Sequence, residues 1–327
     1  MVMGWRPPHG WTTPFGTTRR GMEGLSKKRE RALLGDVGYT IGTAPIGGAR
    51  PAEAGPTMLP EDEMLLTIDV GNTQTTLGLF SQGGVCQRQW RMATDRTDTA
   101  DELHERLFGY FLMFGLTLGS VTDVAISSVV PILTQEWQYM MANVLNAEDV
   151  LLVDASRDCG IVVDMPDPRQ VGADRIANAV AALETYGPST IVVDFGTATN
   201  VDVVDARGAF RGGVIMPGLL LSANSLFSRA AKLSSVPLVA PDHALGETTE
   251  TAVQSGIVIG AAAAAEGLVA RIREELGEPD ATVVGTGGFV REISHVTKVF
   301  DTIDPDLTLR GIYSIWCHRA AKRAARG

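Results

Sequence analysis

Ile68-Asp69-Val70-Gly71-Asn72-Thr73 closes an apolar run that begins at Met64, and Val193-Asp194-Phe195-Gly196-Thr197-Ala198 closes another that begins at Ile191. Each reads as a buried-type strand ending in an acid, then one spacer residue, a glycine and a threonine. The strand fixes the carboxylate, the glycine lets backbone N–H groups approach phosphate oxygens, and the threonine adds a hydroxyl donor. One such unit is a phosphate and Mg²⁺ site. Two in one chain imply two similar domains facing each other across a nucleotide.

The surrounding pattern fits this reading. Thr75 to Phe80 is expected to return as a hairpin partner of the first strand, and Val85 to Met92 to continue the meander. Thr99-Ala100-Asp101-Glu102 is a capping box, and Leu103, Leu107, Phe111 and Phe114 share one face of the helix it opens. A strand over 123–129, a helix over 132–145 and a short strand over 149–153 complete the first half. After Val171-Gly172-Ala173-Asp174-Arg175-Ile176, which opens a helix, the pattern repeats: strand 190–194, hairpin strands 200–205 and 209–214, helices 218–232 and 249–276, strand 281–285 and a final helix from Pro305. The small side chains of Ala261 to Ala265 allow close packing, including at an interface. The expected fold is α/β, with two related domains of the actin-like/ribonuclease H-like type and a nucleotide cleft between them. The domains are expected at 64–187 and 188–327, with the last helix packing back on the first.

Residues 1–63 differ in kind, since 18 of those 63 positions are proline or glycine. They are expected to be a disordered or non-native extension, with Met64 the plausible start. Net charge is −10, against a nucleic-acid partner. Cys86, Cys159 and Cys317 share no spacing that suggests a disulfide frame or a zinc site. No apolar stretch reads as a membrane span. A reduced, cytoplasmic protein is the expectation.

Asp69, at the end of a buried strand, needs a cation or N–H donors, which Mg²⁺–ATP supplies. Val283-Val284-Gly285-Thr286-Gly287-Gly288 is a third glycine loop after a strand, placed to meet the nucleoside. No G-x-x-x-x-G-K-[ST] run occurs. In Gly172-Ala173-Asp174-Arg175, Asp174 is positioned either as a helix cap or as the base that accepts the proton of an attacking hydroxyl. Arg175 suits the carboxylate of an anionic substrate.

The three loops in this order resemble the acetate and sugar kinase/Hsp70/actin superfamily. Together with Ser127-Ser128-Val129-Val130-Pro131, Val171 to Asn178, Gly213 to Gly218, Gln254-Ser255-Gly256-Ile257 and Asp306-Leu307-Thr308-Leu309, they are similar to type III pantothenate kinase over residues 64–320. The resemblance implies ATP-dependent phosphorylation of the primary hydroxyl of pantothenate, the first step towards coenzyme A. It also implies a homodimer and a monovalent cation, K⁺ or NH₄⁺. By the same resemblance Asp69, Val70, Gly71, Asn72, Thr73, Gln74, Thr75, Thr76 and Thr197 bind ATP. Asp69 serves Mg²⁺, directly or through water, and Asp194 the monovalent cation. Asp174 is the base. Met165, Gly172, Ala173, Asp174, Arg175 and Thr249 line the substrate site, Thr249 from the partner subunit unless it is only a helix cap. Met165 stands where the family has a tyrosine, Glu247 where it has a basic residue, and Asn200 where it has a threonine. These departures leave open a kinase for another small hydroxy acid. A transcriptional accessory protein of the same fold is the other alternative.

Overall fold

The computed structural model describes residues 63–81, 83–144, 150–229 and 235–325, all within one compact unit. The first stretch runs β1 (Met64–Val70), β2 (Gln74–Phe80), β3 (Cys86–Ala93), α1 (Ala100–Met113), β4 (Val121–Ser128), α2 (Pro131–Val144) and β5 (Val150–Leu152). After β6 (Val162–Val163) and α3 (Ala173–Tyr186), the pattern returns as β7 (Thr190–Phe195), β8 (Ala198–Val204), β9 (Ala209–Pro217) and α4 (Leu219–Arg229). Then come α5 (Thr249–Gln254), α6 (Gly260–Leu276), β10 (Thr282–Thr286), α7 (Val290–Ser294), β11 (Thr302–Ile303) and α8 (Leu307–Ala324).

The two sheets have the same topology. One is ordered β3-β2-β1-β4-β5, and the other β9-β8-β7-β10-β11 with β6 added beside β9. In both, the first three strands form an antiparallel meander and the last two join in parallel. Asp69 and Asp194 therefore occupy equivalent places, each the next-to-last residue of the first strand of its sheet. The fold is α/β with two related halves, as the duplicated motif implied.

Helices α1 and α2 cover one face of the first sheet, where Leu103, Leu107, Phe111, Leu133 and Trp137 meet Leu66, Ile68 and Leu77. The capping box forms as expected: Thr99 N donates to Glu102 Oε2 at 2.8 Å. Phe114, however, lies beyond the helix at its C-cap and is exposed, with Arg88 stacked on its ring. Between the sheets, α3 and α8 share a core with Leu65, Phe80, Val204 and Phe210. α8 sits so close to α3 that a Cβ on Gly311 would overlap the Ala177 carbonyl.

Three expectations need correction. The 249–276 helix forms, but Ser255–Ile259 makes a π-helical segment within it. Propensity carries no signal for that widened turn. The final helix begins at Leu307, after Asp306, so Pro305 precedes it. Finally, Thr249–Leu276 is long and apolar enough, with a mean hydropathy of 1.5, to cross a membrane by length and composition. In the fold its Val258, Ala262, Ala265 and Val269 are instead buried against Ile191, Val193 and Phe195 of the second sheet. All of the 1–63 extension but its last residue, and the end of the 218–232 helix, lie outside the described residues.

Candidate active site

Strand register brings a supporting group to each acid. Ser127 on β4 lies opposite Asp69, and its hydroxyl donates to Asp69 Oδ1 at 2.9 Å. On the other sheet Asn178 of α3 donates from Nδ2 to Asp194 Oδ2 at 2.9 Å. Thr308 of α8 in turn donates to Asn178 Oδ1 at 2.8 Å. The loops that follow the two strands touch, with Thr197 Oγ1 donating to Thr73 Oγ1 at 3.0 Å. Gly287, after β10, closes against the second loop. Its φ is +91°, and a Cβ there would meet Asp194 Oδ1 and come within 2.6 Å of the Phe195 backbone. The three glycine loops of the sequence thus come together at one place.

Asp174 is not a helix cap. Gly172 holds that position, and Asp174 is the second residue of α3, its Oδ1 accepting the Arg175 backbone N–H at 2.9 Å. It stands close enough to the other two acids to be felt by both. Burial, then the Asp174 charge and, to a smaller extent, the Asp194 charge push Asp69 up to about 8, against the Ser127 hydrogen bond. Burial and then Asp174 push Asp194 up to about 6, against the Asn178 bond. Burial raises Asp174 itself, partly offset by Arg175. None of the three forms a salt bridge among the described residues. Like charges gathered without a basic partner are suited to bound cations. Among the described residues no three His, Cys, Asp or Glu side chains are grouped as a metal cage. Mg²⁺ needs no such cage, since it takes one or two carboxylates and completes its shell with phosphates and water.

Of the other expected residues, Val70 is buried in β1, and Gly71, Asn72 and Thr73 form the exposed turn before Gln74, Thr75 and Thr76 open β2. Asn72 Oδ1 accepts from Arg96 at 2.8 Å, and Thr75 bonds Thr94 at 2.9 Å. Ala173 is buried at the start of α3. Arg175 is not paired with Asp174, because its guanidinium is bound to Asp202 on β8. Met165 lies against β9, its sulfur 2.8 Å from where a Gly212 Cβ would be. Thr249 does not cap α5 either, since Thr248 does. It lines a separate cavity of about 470 Å³ with Ser235, Pro237 and Glu250.

Arg96 and Asp202 escaped the sequence reading, and Ser127, Asn178 and Thr308 were quoted without roles. Asp202 had a signal, an acid among Val201, Val203 and Val204. Ser127 and Asn178 gain meaning only through long-range pairing.

The raised acids fix a pH dependence. A carboxyl whose folded pKa exceeds its unfolded value, near 4, stabilises the fold below that unfolded value. The contribution is lost as pH rises through the folded value. For Asp194 and Asp69 that loss continues through about 6 and about 8. Nucleotide-free protein is therefore expected to melt at a lower temperature above about pH 8 than near pH 6, and Asp69→Asn to shrink the difference. Equal pH dependence in the two proteins, followed by circular dichroism, would contradict the raised Asp69.

Comparison with known proteins adds independent findings. Residues 65–271 match the family model for type III pantothenate kinase. The type III pantothenate kinase of Thermomicrobium roseum is 44% identical over 253 residues, covering 77% of this chain and 96% of the relative. That of Bacillus cytotoxicus is 38% identical over 264 residues, covering 81% and 100%. Among solved structures, the activator of 2-hydroxyisocaproyl-CoA dehydratase from Clostridium difficile aligns with a TM-score of 0.44 at 11% identity, covering 81% of this chain and 98% of that one.

Proposed function

The chain belongs to the type III pantothenate kinase family, and from that premise we propose how its cleft works. The protein phosphorylates pantothenate with ATP, the entry step of coenzyme A biosynthesis. The observation that carries the assignment of parts is the meeting of the first two loops, Thr73 to Thr197, beside three mutually repelling carboxylates.

Phosphoryl transfer needs in-line placement and charge neutralisation rather than covalent help from the protein. The turn from Gly71 to Thr76 and the facing turn at Thr197 offer backbone and hydroxyl donors to the phosphates. Asp69, oriented by Ser127, holds Mg²⁺ directly or through water, and that ion would neutralise charge on the moving group. Asp194, oriented by Asn178, is assigned a monovalent cation, K⁺ or NH₄⁺. Asp174 accepts the hydroxyl proton of pantothenate. Burial raises its basicity toward the working pH, which suits a general base. Gly172, Ala173, Arg175 and Met165 form the wall facing pantothenate, with Arg175 toward its carboxylate.

A homodimer is part of the proposal. Leu220, Leu221 and Leu226 on α4 and Ile215 on β9 are exposed, an apolar surface that a second copy would cover. Thr249 would then serve the partner's pantothenate. We also assign the protein to the cytoplasm.

A coupled assay of ADP release tests the function. Release is expected to require pantothenate and to rise with K⁺. If pantothenate is left unphosphorylated in the presence of ATP, Mg²⁺ and K⁺, the assignment fails.

A further inference from the structure

Arg175 is held on two sides. Its Nε donates to Asp202 Oδ1 at 2.7 Å and its Nη2 lies 2.6 Å from the same oxygen. Its Cζ stands 5.7 Å from the centre of the Phe210 ring, a cation–π contact. The third nitrogen, Nη1, takes no part in the bonds to Asp202. Asp202 is fully buried, and its Oδ2 has no partner among the described residues. A buried ion pair with an unsatisfied oxygen is a poor stabilising device, because desolvation consumes most of the attraction and an apolar pair of the same volume often does better. Its presence calls for another role.

The surroundings supply one. Asp174 and Asp194 lie near enough to act electrostatically on Asp202. A guanidinium released at this place would have a carboxylate competitor in its own neighbour, Asp174. An arginine captured there would neutralise the base and withdraw from the substrate.

We propose that Asp202 is a positioning residue: it fixes one edge of the Arg175 guanidinium, keeps it off Asp174, and presents the Nη1 edge to the carboxylate of the hydroxy acid substrate. This rests on the assignment of Arg175 to the pantothenate carboxylate. A guanidinium fixed in advance loses less freedom on binding, so the effect falls on substrate affinity and selectivity.

The test compares pantothenate with its alcohol analogue, in which a CH₂OH group replaces the carboxylate, in wild type, Asp202→Asn and Asp202→Ala. Wild type is expected to prefer the carboxylate in kcat/KM. Asp202→Ala is expected to raise the KM for pantothenate by about tenfold or more and to reduce the preference by a similar factor. The KM for ATP is expected to stay within about threefold of wild type. Asp202→Asn keeps an oxygen acceptor in place and is expected to lower the preference severalfold, so it decides the matter if the alanine variant does not fold. A preference unchanged in both variants overturns the proposal. So does a parallel loss for both substrates and ATP, which marks general damage to the fold. A wild type that shows no preference overturns the assignment of Arg175 itself, and the role of Asp202 falls with it.

Discussion

Asp174→Asn is expected to fold, to bind ATP and pantothenate with affinities close to wild type, and to lose turnover by on the order of a thousandfold. The carboxylate does not cap α3, a position held by Gly172, so the helix does not depend on it. Its hydrogen bond from the Arg175 backbone N–H can be accepted equally by an amide oxygen. The substitution also removes one of three like charges from the cleft, which relieves Asp69 and Asp194. Thermal stability is therefore expected to hold or rise while kcat collapses. Loss of function with gain of stability separates a chemical role from a structural one. Turnover within about tenfold of wild type would remove Asp174 from the role of base.

Gly287→Ala is expected to raise the KM for ATP by about tenfold or more and to lower the melting temperature. Two costs coincide there. The backbone φ of +91° is one that L side chains rarely adopt, and the added methyl would lie 2.6 Å from the Phe195 backbone and against Asp194 Oδ1. The third loop must back away from the second, disturbing the place proposed above for ATP. The neighbouring residue supplies the control, since a Cβ on Gly288 has no atom within 4 Å. Gly288→Ala is expected to leave the melting temperature unchanged. Equal melting temperatures and equal ATP constants for the two variants would show that the close approach of the loops is unimportant.

Much of the fold was legible because it repeats. A run such as Leu65 to Ile68 needs no partner to be read as a buried strand, and two runs ending in the same acid–glycine–threonine order imply the same surroundings twice. The equivalent places of Asp69 and Asp194 were legible for that reason. The remainder depends on contacts between distant residues. Arg175 and Asp202 are joined across 27 positions, and nothing local to either distinguishes their pairing from an Arg175–Asp174 pair. Two-residue strands such as β6 and β11 exist only because β9 and β10 offer edges to them. The helix ends at Thr248 and Gly172 were displaced by a residue or two because several neighbours could cap, and only the backbone angles select one.

The hydrogen-bonded line from Thr308 through Asn178 to Asp194 reaches across 130 residues at its first step. A ribosome delivers the chain from its amino end, and domains commonly begin to fold as they emerge. Both sheets' meanders can be complete while α8 is still unmade. The support that Thr308 gives to Asn178, and through it to Asp194, is then missing, and so is the glycine-seated partner of α3 that shares its core. The last helix to be made thus completes both the core between the sheets and the support of Asp194, so shape and centre are finished together at the end of synthesis.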